Sequence, residues 1–242
     1  MTAYLLIGQD KRLEELYKML KQKGKQVMYI QKELEIETLE RYPIEQGKKT
    51  VCVVGRIPQE IETALKEKGA VFFHMLTDKR CKNFNAIATA EGAIAHAMLM
   101  SPWNLEGSSV CILGFGTCGR VLAEKCKALG AKTTVVVRRE EAAKAAEKEG
   151  HQVIWVEELV EKAKEFYYLF NTVPAVLVTD NVLEKLRKDV ILIDIASKEG
   201  GIDYKAAKTH QIKAVQILRI PGRFAAKSSA KKLCEILLAQ EE

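Results

Sequence analysis

No stretch of this chain approaches the roughly 18 consecutive apolar residues that a membrane-spanning helix needs, so none is expected. The opening Met1-Thr2-Ala3-Tyr4-Leu5-Leu6-Ile7-Gly8 has too short an apolar run, and no basic leader, for a signal peptide; it reads as a first strand. There is no Cys-x-x-Cys pair and no His/Cys cluster, so no metal site is expected. The six cysteines (Cys52, Cys81, Cys111, Cys118, Cys126, Cys234) are therefore expected as reduced thiols of a cytoplasmic protein. Repeats, low-complexity linkers and nucleic-acid-binding motifs are missing too. The net charge of +6 does not replace such a motif. Lysines alternate with glutamates along 140–149 and 157–165, the pattern of solvated helix faces. Nucleic acid is not expected as a partner.

What is present is an ordinary globular composition, 48% hydrophobic and 29% charged over 242 residues, enough for one large domain or two modest ones. Its most informative stretch is Ser109-Val110-Cys111-Ile112-Leu113-Gly114-Phe115-Gly116-Thr117-Cys118-Gly119-Arg120. This reads as an apolar strand, a Gly-x-Gly-x-x-Gly turn and a helix, with a second strand from Thr133 to Val137 closing the βαβ unit. Gly114 suits the tight turn. Gly116 leaves room for a pyrophosphate, and Gly119 lets the helix approach the strand. The first helical N–H groups, around Thr117 and Cys118, then face the phosphates. Cys118 at a helix start has two readings, a thiol of lowered pKa or a small residue filling the turn.

A dinucleotide site of this kind usually carries an acidic residue about 20 positions past the glycines, for the ribose 2′-OH. This chain has Arg138-Arg139 there. Guanidinium groups cannot accept a hydrogen bond from a hydroxyl, but they can fork onto a 2′-phosphate. NADP is therefore expected before NAD. The alternative is that the arginines face water and Glu140 or Glu141 reaches the ribose.

Strands are expected at Tyr4–Ile7, Gln26–Ile30, Thr50–Val54 and 71–73, with helices at Leu13–Lys23 and Gln59–Lys68. Asn85–Met100 reads as a buried Ala/Met helix with Thr89 as its N-cap, bridging two domains. From Ser109 on, strands at 109–113, 133–137, 153–156, 167–171, 190–194 and 214–218 alternate with helices at 117–129, 140–149, 157–165, 178–187 and 203–209. The expected fold is α/β: a six-stranded doubly wound parallel sheet over residues 101–225, with a smaller α/β domain over 1–100. A terminal amphipathic helix, Ala226–Gln240, is free to return to that first domain.

Ligands of such sheets bind at the carboxyl ends of the strands. Asn171, Thr172, Val173 and Pro174 follow the fourth of the six strands, and Ala196, Ser197 and Lys198 the fifth. Asn171 to Pro174, Ala196 and Ser197 are the further cofactor-binding candidates. Lys198, Arg219, Pro221 and Arg223 are expected on the substrate side, with the helix start at Thr89 to Gly92.

Together these segments resemble one family, the A subunits of dipicolinate synthase. The resemblance rests on Thr89-Ala90-Glu91-Gly92, Leu113 to Gly119, Asn171 to Pro174, Asp194 to Asp203, and Pro221-Gly222 with Lys227-Ser228, in order over about residues 85 to 235. It implies a Rossmann fold and oxidation of dihydrodipicolinate to dipicolinate with NADP, during spore formation, in a complex with the flavoprotein-like B subunit of dipicolinate synthase. It also places Glu91 in the cleft as the candidate general base, a carboxylate whose pKa desolvation would raise. More distant similarity is to 2-hydroxyacid and alanine dehydrogenases. The chain departs from the family pattern at Ala86-Ile87-Ala88, where a proline is common, in a late loop lacking a second proline, and in a shorter N-terminal unit. Other readings stay open: a non-catalytic NADP-binding or regulatory protein, an imine or keto-acid reductase of the same fold, and a homo-oligomer of any of these.

Overall fold

The computed structural model describes residues 2–31, 35, 44, 49–197 and 199–241. They form two compact units, Met1–Asn85 with Pro221–Glu242, and Ala86–Ile220.

In the first unit, β1 (Ala3–Ile7), α1 (Lys11–Gln22), β2 (Gln26–Ile30), β3 (Thr50–Val54), α2 (Gln59–Glu67) and β4 (Ala70–His74) build a parallel sheet of order β2-β1-β3-β4. Each inner strand is apolar at consecutive positions because helices cover both faces. Tyr4, Leu6, Val51 and Val53 point to one side, where Leu13, Leu16 and Leu20 of α1 meet Leu233, Ile236 and Leu237 of a helix at Ala226–Leu238. Leu5, Ile7, Cys52 and Val54 point to the other, against Ile61 and Leu65 of α2. The returning C-terminal helix is thus part of this unit's core. Its end is tied by Glu241, which accepts from the Tyr4 hydroxyl and pairs with Lys25.

A long helix, α3 (Lys79–Met100), leads into the second unit. It starts well before the expected Thr89, because Asp78 accepts from the backbone N–H of Arg80 at 2.9 Å and of Cys81 at 3.2 Å and so caps it there. Thr89 is therefore inside the helix rather than at its N-cap. The unit boundary also falls within α3, at Asn85/Ala86, rather than at the expected residue 100. The reason is packing: Ala90, Ala93, Ile94 and Ala97 are buried in the core of the second unit.

That unit contains β5 (Ser109–Leu113), α4 (Thr117–Ala128), β6 (Lys132–Val137), α5 (Glu140–Lys148), β7 (Gln152–Trp155), α6 (Leu159–Lys162), β8 (Tyr168–Asn171), α7 (Asp180–Lys185), β9 (Ile191–Asp194), α8 (Tyr204–Thr209) and β10 (Lys213–Gln216). The helix expected over 157–165 is α6 between two short 3₁₀ turns. Every strand pair is parallel, in the order β10-β9-β8-β5-β6-β7. This is the doubly wound arrangement, with strand order reversing between β5 and β8. Val110, Ile112, Val135, Phe170 and Ile193 face α3, α4 and α5; Cys111, Leu113, Val136, Leu169 and Leu192 face α6, α7 and α8. A short helix, α9 (Ile220–Phe224), precedes the C-terminal helix, α10.

Leu16 is fully buried between β1 and α10. Leu16→Ala should cost about 2–5 kcal/mol of stability in urea unfolding; a loss below about 1 kcal/mol would mean that α10 does not complete this core.

Candidate functional site

The turn between β5 and α4 is built around close approaches at two of its three glycines. Gly114 has φ +91°, and a Cβ there would lie 2.6 Å from Val173 Cγ2 and 2.9 Å from Thr172 Oγ1. At Gly119 a Cβ would fall 2.1 Å from the carbonyl oxygen of Gly114, so the first turn of α4 sits directly on the strand end. Gly116 is different: nothing lies within 4 Å of the Cβ it lacks. The backbone is therefore open on the side where a diphosphate would approach. Gly116 is the N-cap of α4 and offers no side chain to its first N–H groups, which leaves them for an anion. These are features that fit a dinucleotide. Cys118 follows the second of its two readings, since burial pushes its thiol pKa up rather than down.

Arg138 and Arg139 are exposed at the carboxyl end of β6, and neither guanidinium has an ion pair or hydrogen-bond partner among the described residues. Two other arginines of this unit are committed, Arg120 to Glu149 and Arg187 to Asp189. Of the two glutamates that offered an alternative, Glu140 pairs with Lys144 at 3.4 Å along α5.

On the other side of the strand-order reversal, the loop after β8 is held by its own side chains. Thr172 Oγ1 donates to the Leu113 carbonyl at 2.8 Å, tying it to the glycine turn. Asn171 is fully buried. Its amide nitrogen donates to the Val173 carbonyl at 3.0 Å and to Asp194 Oδ1 at 2.9 Å, while its oxygen accepts from the Val173 N–H at 3.1 Å. Asn171 thus shapes the loop and has no free edge for a cofactor, contrary to the direct contact expected of it. Val173 is half-buried and Pro174 exposed.

Asp194 at the end of β9, which in the sequence only opens the motif Asp194 to Asp203 and has no role of its own there, is central to this side of the site. It is fully buried. Besides the Asn171 bond, it accepts from the N–H of Ala196 at 2.9 Å, the N–H of Gly201 at 2.7 Å and the Tyr204 hydroxyl at 3.0 Å. Burial, together with the neighbouring carboxylate, pushes the Tyr204 pKa up and keeps that hydroxyl a donor. A Cβ on Gly200 would lie 2.3 Å from Asp194 Oδ2, and one on Gly201 2.4 Å from Asn171 Nδ2. The signal for this knot was the spacing of Asp194 from Gly200-Gly201. Ala196 is buried and offers only backbone, Ser197 is exposed, and Lys198 lies outside the described residues.

Glu91 is exposed on α3 and pairs with Lys125 at 2.9 Å, so the desolvated setting expected of it as a general base is not found. Thr89 is half-buried and Gly92 buried along the same helix, where N–H groups bond to the preceding turn; the expected helix-start anion site at 89–92 does not exist. Arg219, exposed after β10, has φ +59°. Pro221 and Arg223 lie in α9 and belong to the first unit, where a Cβ on Gly222 would lie 3.0 Å from Asp10 Oδ1. Asp10 itself is bound by the buried guanidinium of Arg12 at 2.9 and 2.6 Å.

Residues 72–206, more than half of the chain, match the family described as D-isomer specific 2-hydroxyacid dehydrogenase, NAD binding domain. The chain belongs to that family. It is also similar to the dipicolinate synthase A subunit of Bacillus subtilis, at 31% identity over 154 residues that make up 64% of this chain and 52% of that protein. The match thus spans about half the length of that curated relative. Among solved structures, the dipicolinate synthase A subunit from Bacillus halodurans superposes with a TM-score of 0.84 at 23% identity, over 99% of this chain and 97% of that one. D-lactate dehydrogenase from Lactobacillus jensenii, solved with NAD⁺, gives 0.67 at 14% identity, over 98% and 94%. At these identities the two structures speak for the fold, a dehydrogenase-type NAD(P)-binding domain. No helix among the described residues of this dehydrogenase-family chain is long and apolar enough to cross a membrane.

Two glycine variants separate the roles within the family's fingerprint. Gly116→Ala should leave thermal stability unchanged and weaken dinucleotide binding roughly tenfold or more, because it fills only the open approach. Gly119→Ala should lower both. Equal loss of stability in the two variants, read by thermal denaturation beside a binding titration, would contradict this division.

Proposed function

We propose that the chain is an NADP-dependent oxidoreductase that oxidises dihydrodipicolinate to dipicolinate as one component of a two-protein enzyme. The substrate assignment rests on the 31% identity to the dipicolinate synthase A subunit. The cofactor assignment rests on one observation, the unpartnered pair Arg138 and Arg139 at the end of β6.

In this reading the N–H groups at the start of α4 hold the diphosphate, with Gly116, Thr117, Cys118 and Gly119 as its floor. The two guanidinium groups fork onto the 2′-phosphate, whose charge an acidic residue at that place would repel. Val173, Pro174 and Ser197, with the Ala196 backbone, line the half of the site beyond β8. Arg219 supplies a cation for a substrate carboxylate. A nicotinamide held there would supply the hydride acceptor for the ring oxidation, which would also release one proton. The chain's own contribution is chiefly to hold the ring against the cofactor and to counter the substrate's negative charge. Glu91 has no part in it beyond its pair with Lys125. The name of the relative implies a second component, here taken to be a flavoprotein-like B subunit.

The reaction is tested by following nicotinamide reduction with dihydrodipicolinate generated in place by its upstream synthase, with and without the B subunit. Formation of dipicolinate at a rate proportional to this chain is the expected result. Saturable NADP binding with no turnover in either condition would instead make it a nucleotide-binding protein without chemistry of its own, and turnover of other imino or keto acids a reductase of different substrate. The double variant Arg138→Asp, Arg139→Ala should move preference from NADP towards NAD by about tenfold or more, since charge-assisted hydrogen bonds are lost and a hydroxyl acceptor is gained. An unchanged ratio of the two affinities would remove the arginines from the site.

A further inference from the structure

The Asp194 carboxylate stands at the meeting point of three segments: the loop after β8, the loop after β9 and the start of α8. Each of its oxygens takes two donors. Oδ1 accepts from Asn171 Nδ2 and the Ala196 N–H; Oδ2 accepts from the Gly201 N–H and the Tyr204 hydroxyl. Asn171 carries the connection onward to the Val173 N–H and carbonyl. Thr172 and Val173 then rest on Leu113 and Gly114, the first residues of the glycine turn. Two segments that line the far half of the dinucleotide crevice are therefore fixed to each other through one buried charge.

We infer that Asp194 is a positioning residue for the nicotinamide half of the cofactor: its carboxylate sets residues 171–173 and the backbone at Ala196 and Gly201 in one mutual arrangement, while the adenosine half is held independently. The independence follows from topology. In a doubly wound sheet the two halves of the dinucleotide lie on opposite sides of the strand-order reversal. The glycine turn and Arg138-Arg139 belong to β5 and β6, whereas the groups bonded to Asp194 come from the end of β8, the loop after β9 and the start of α8, and meet the glycine turn only by way of Thr172 and Val173. A neutral carboxamide cannot replace the carboxylate. Whichever way the amide of an Asp194→Asn variant were turned, its NH₂ would face a backbone N–H, of Ala196 or of Gly201, that cannot become an acceptor. A fully buried charge with four donors is worth keeping for stability alone only if its desolvation is repaid, so its location at the crevice is informative.

The inference rests on the reading of this domain as a dinucleotide site, and its test keeps the two apart. The first readout needs no cofactor. In the free protein, Asp194→Asn should speed amide hydrogen exchange at Ala196 and Gly201 and also at Val173, which touches Asp194 only through Asn171. Exchange at Gly114 and along α4 should stay unchanged. Faster exchange confined to Ala196 and Gly201 would overturn the coupling of the two loops, as would no change at all.

The second readout compares NADP⁺ with adenosine 2′,5′-bisphosphate, its adenosine half. Asp194→Asn should weaken NADP⁺ by about tenfold or more, the loss expected for hydrogen bonds to a charged group, with the half-ligand within about twofold of wild type. Equal losses for both ligands would reduce Asp194 to a general structural residue and overturn the inference. Wild-type protein that binds neither ligand would overturn the dinucleotide reading, and with it the cofactor role, while the exchange data still decide whether the clamp exists. Tyr204→Phe removes one donor only and should give the same pattern in smaller degree. It carries the test if Asp194→Asn does not fold, and a Tyr204→Phe protein indistinguishable from wild type in both readouts would then count against the inference.

Discussion

The loop after β8 lies against the glycine turn after β5, closer than any side chain on Gly114 would permit. Most of the site follows from that contact. It requires a left-handed residue at Gly114, a short polar residue at Thr172 to close on the Leu113 carbonyl, and a buried amide at Asn171 to keep the following residues from springing outward. Buried amides need partners, and Asn171 finds one in Asp194. The carboxylate in turn draws in Gly201, Ala196 and Tyr204, and the two glycines at 200 and 201 exist because backbone has to pass within contact distance of these groups. A chain of local necessities thus runs from the phosphate turn across two strands to the start of α8.

Charge is distributed to match. Arg120, in the first turn of α4, and Arg187, between α7 and β9, are paired with carboxylates. Arg138, Arg139 and Arg219 follow the carboxyl ends of strands, and their guanidinium groups have no ion pair or hydrogen bond among the described residues. An α-helix start with an uncapped first turn adds its partial positive charge at the same edge of the sheet. Anionic ligands are favoured there by long-range field as well as by direct contact, and this agrees with a phosphate-rich cofactor.

Much of this architecture was legible in the sequence because it depends on local pattern. Apolar runs of four to six residues, regularly interrupted by amphipathic helices, mark a parallel sheet covered on both faces, and all six strands of the second unit lie where that pattern places them. The glycine spacing marks the phosphate turn in the same way. Three features were not legible. The start of α3 is not where the pattern places it because Asp78, not Thr89, provides the cap, and the first turns at 79–85, largely polar apart from Cys81 and Phe84, carry little of the apolar pattern that marks the rest of the helix. Glu91 was expected in a desolvated setting, but Lys125 on the neighbouring helix meets it in solvent. The Asp194 knot joins residues from β8, β9 and α8, and no periodicity within one segment can reveal bonds made among three.

The proposed function requires a dinucleotide on the start of α4 with its 2′-phosphate at Arg138 and Arg139. Calorimetric titration of the wild-type protein with NADP⁺ and, separately, NAD⁺ tests this most directly. Saturable binding of one dinucleotide per chain, with NADP⁺ the tighter, is the predicted result. Tighter binding of NAD⁺, or no binding of either, would contradict it.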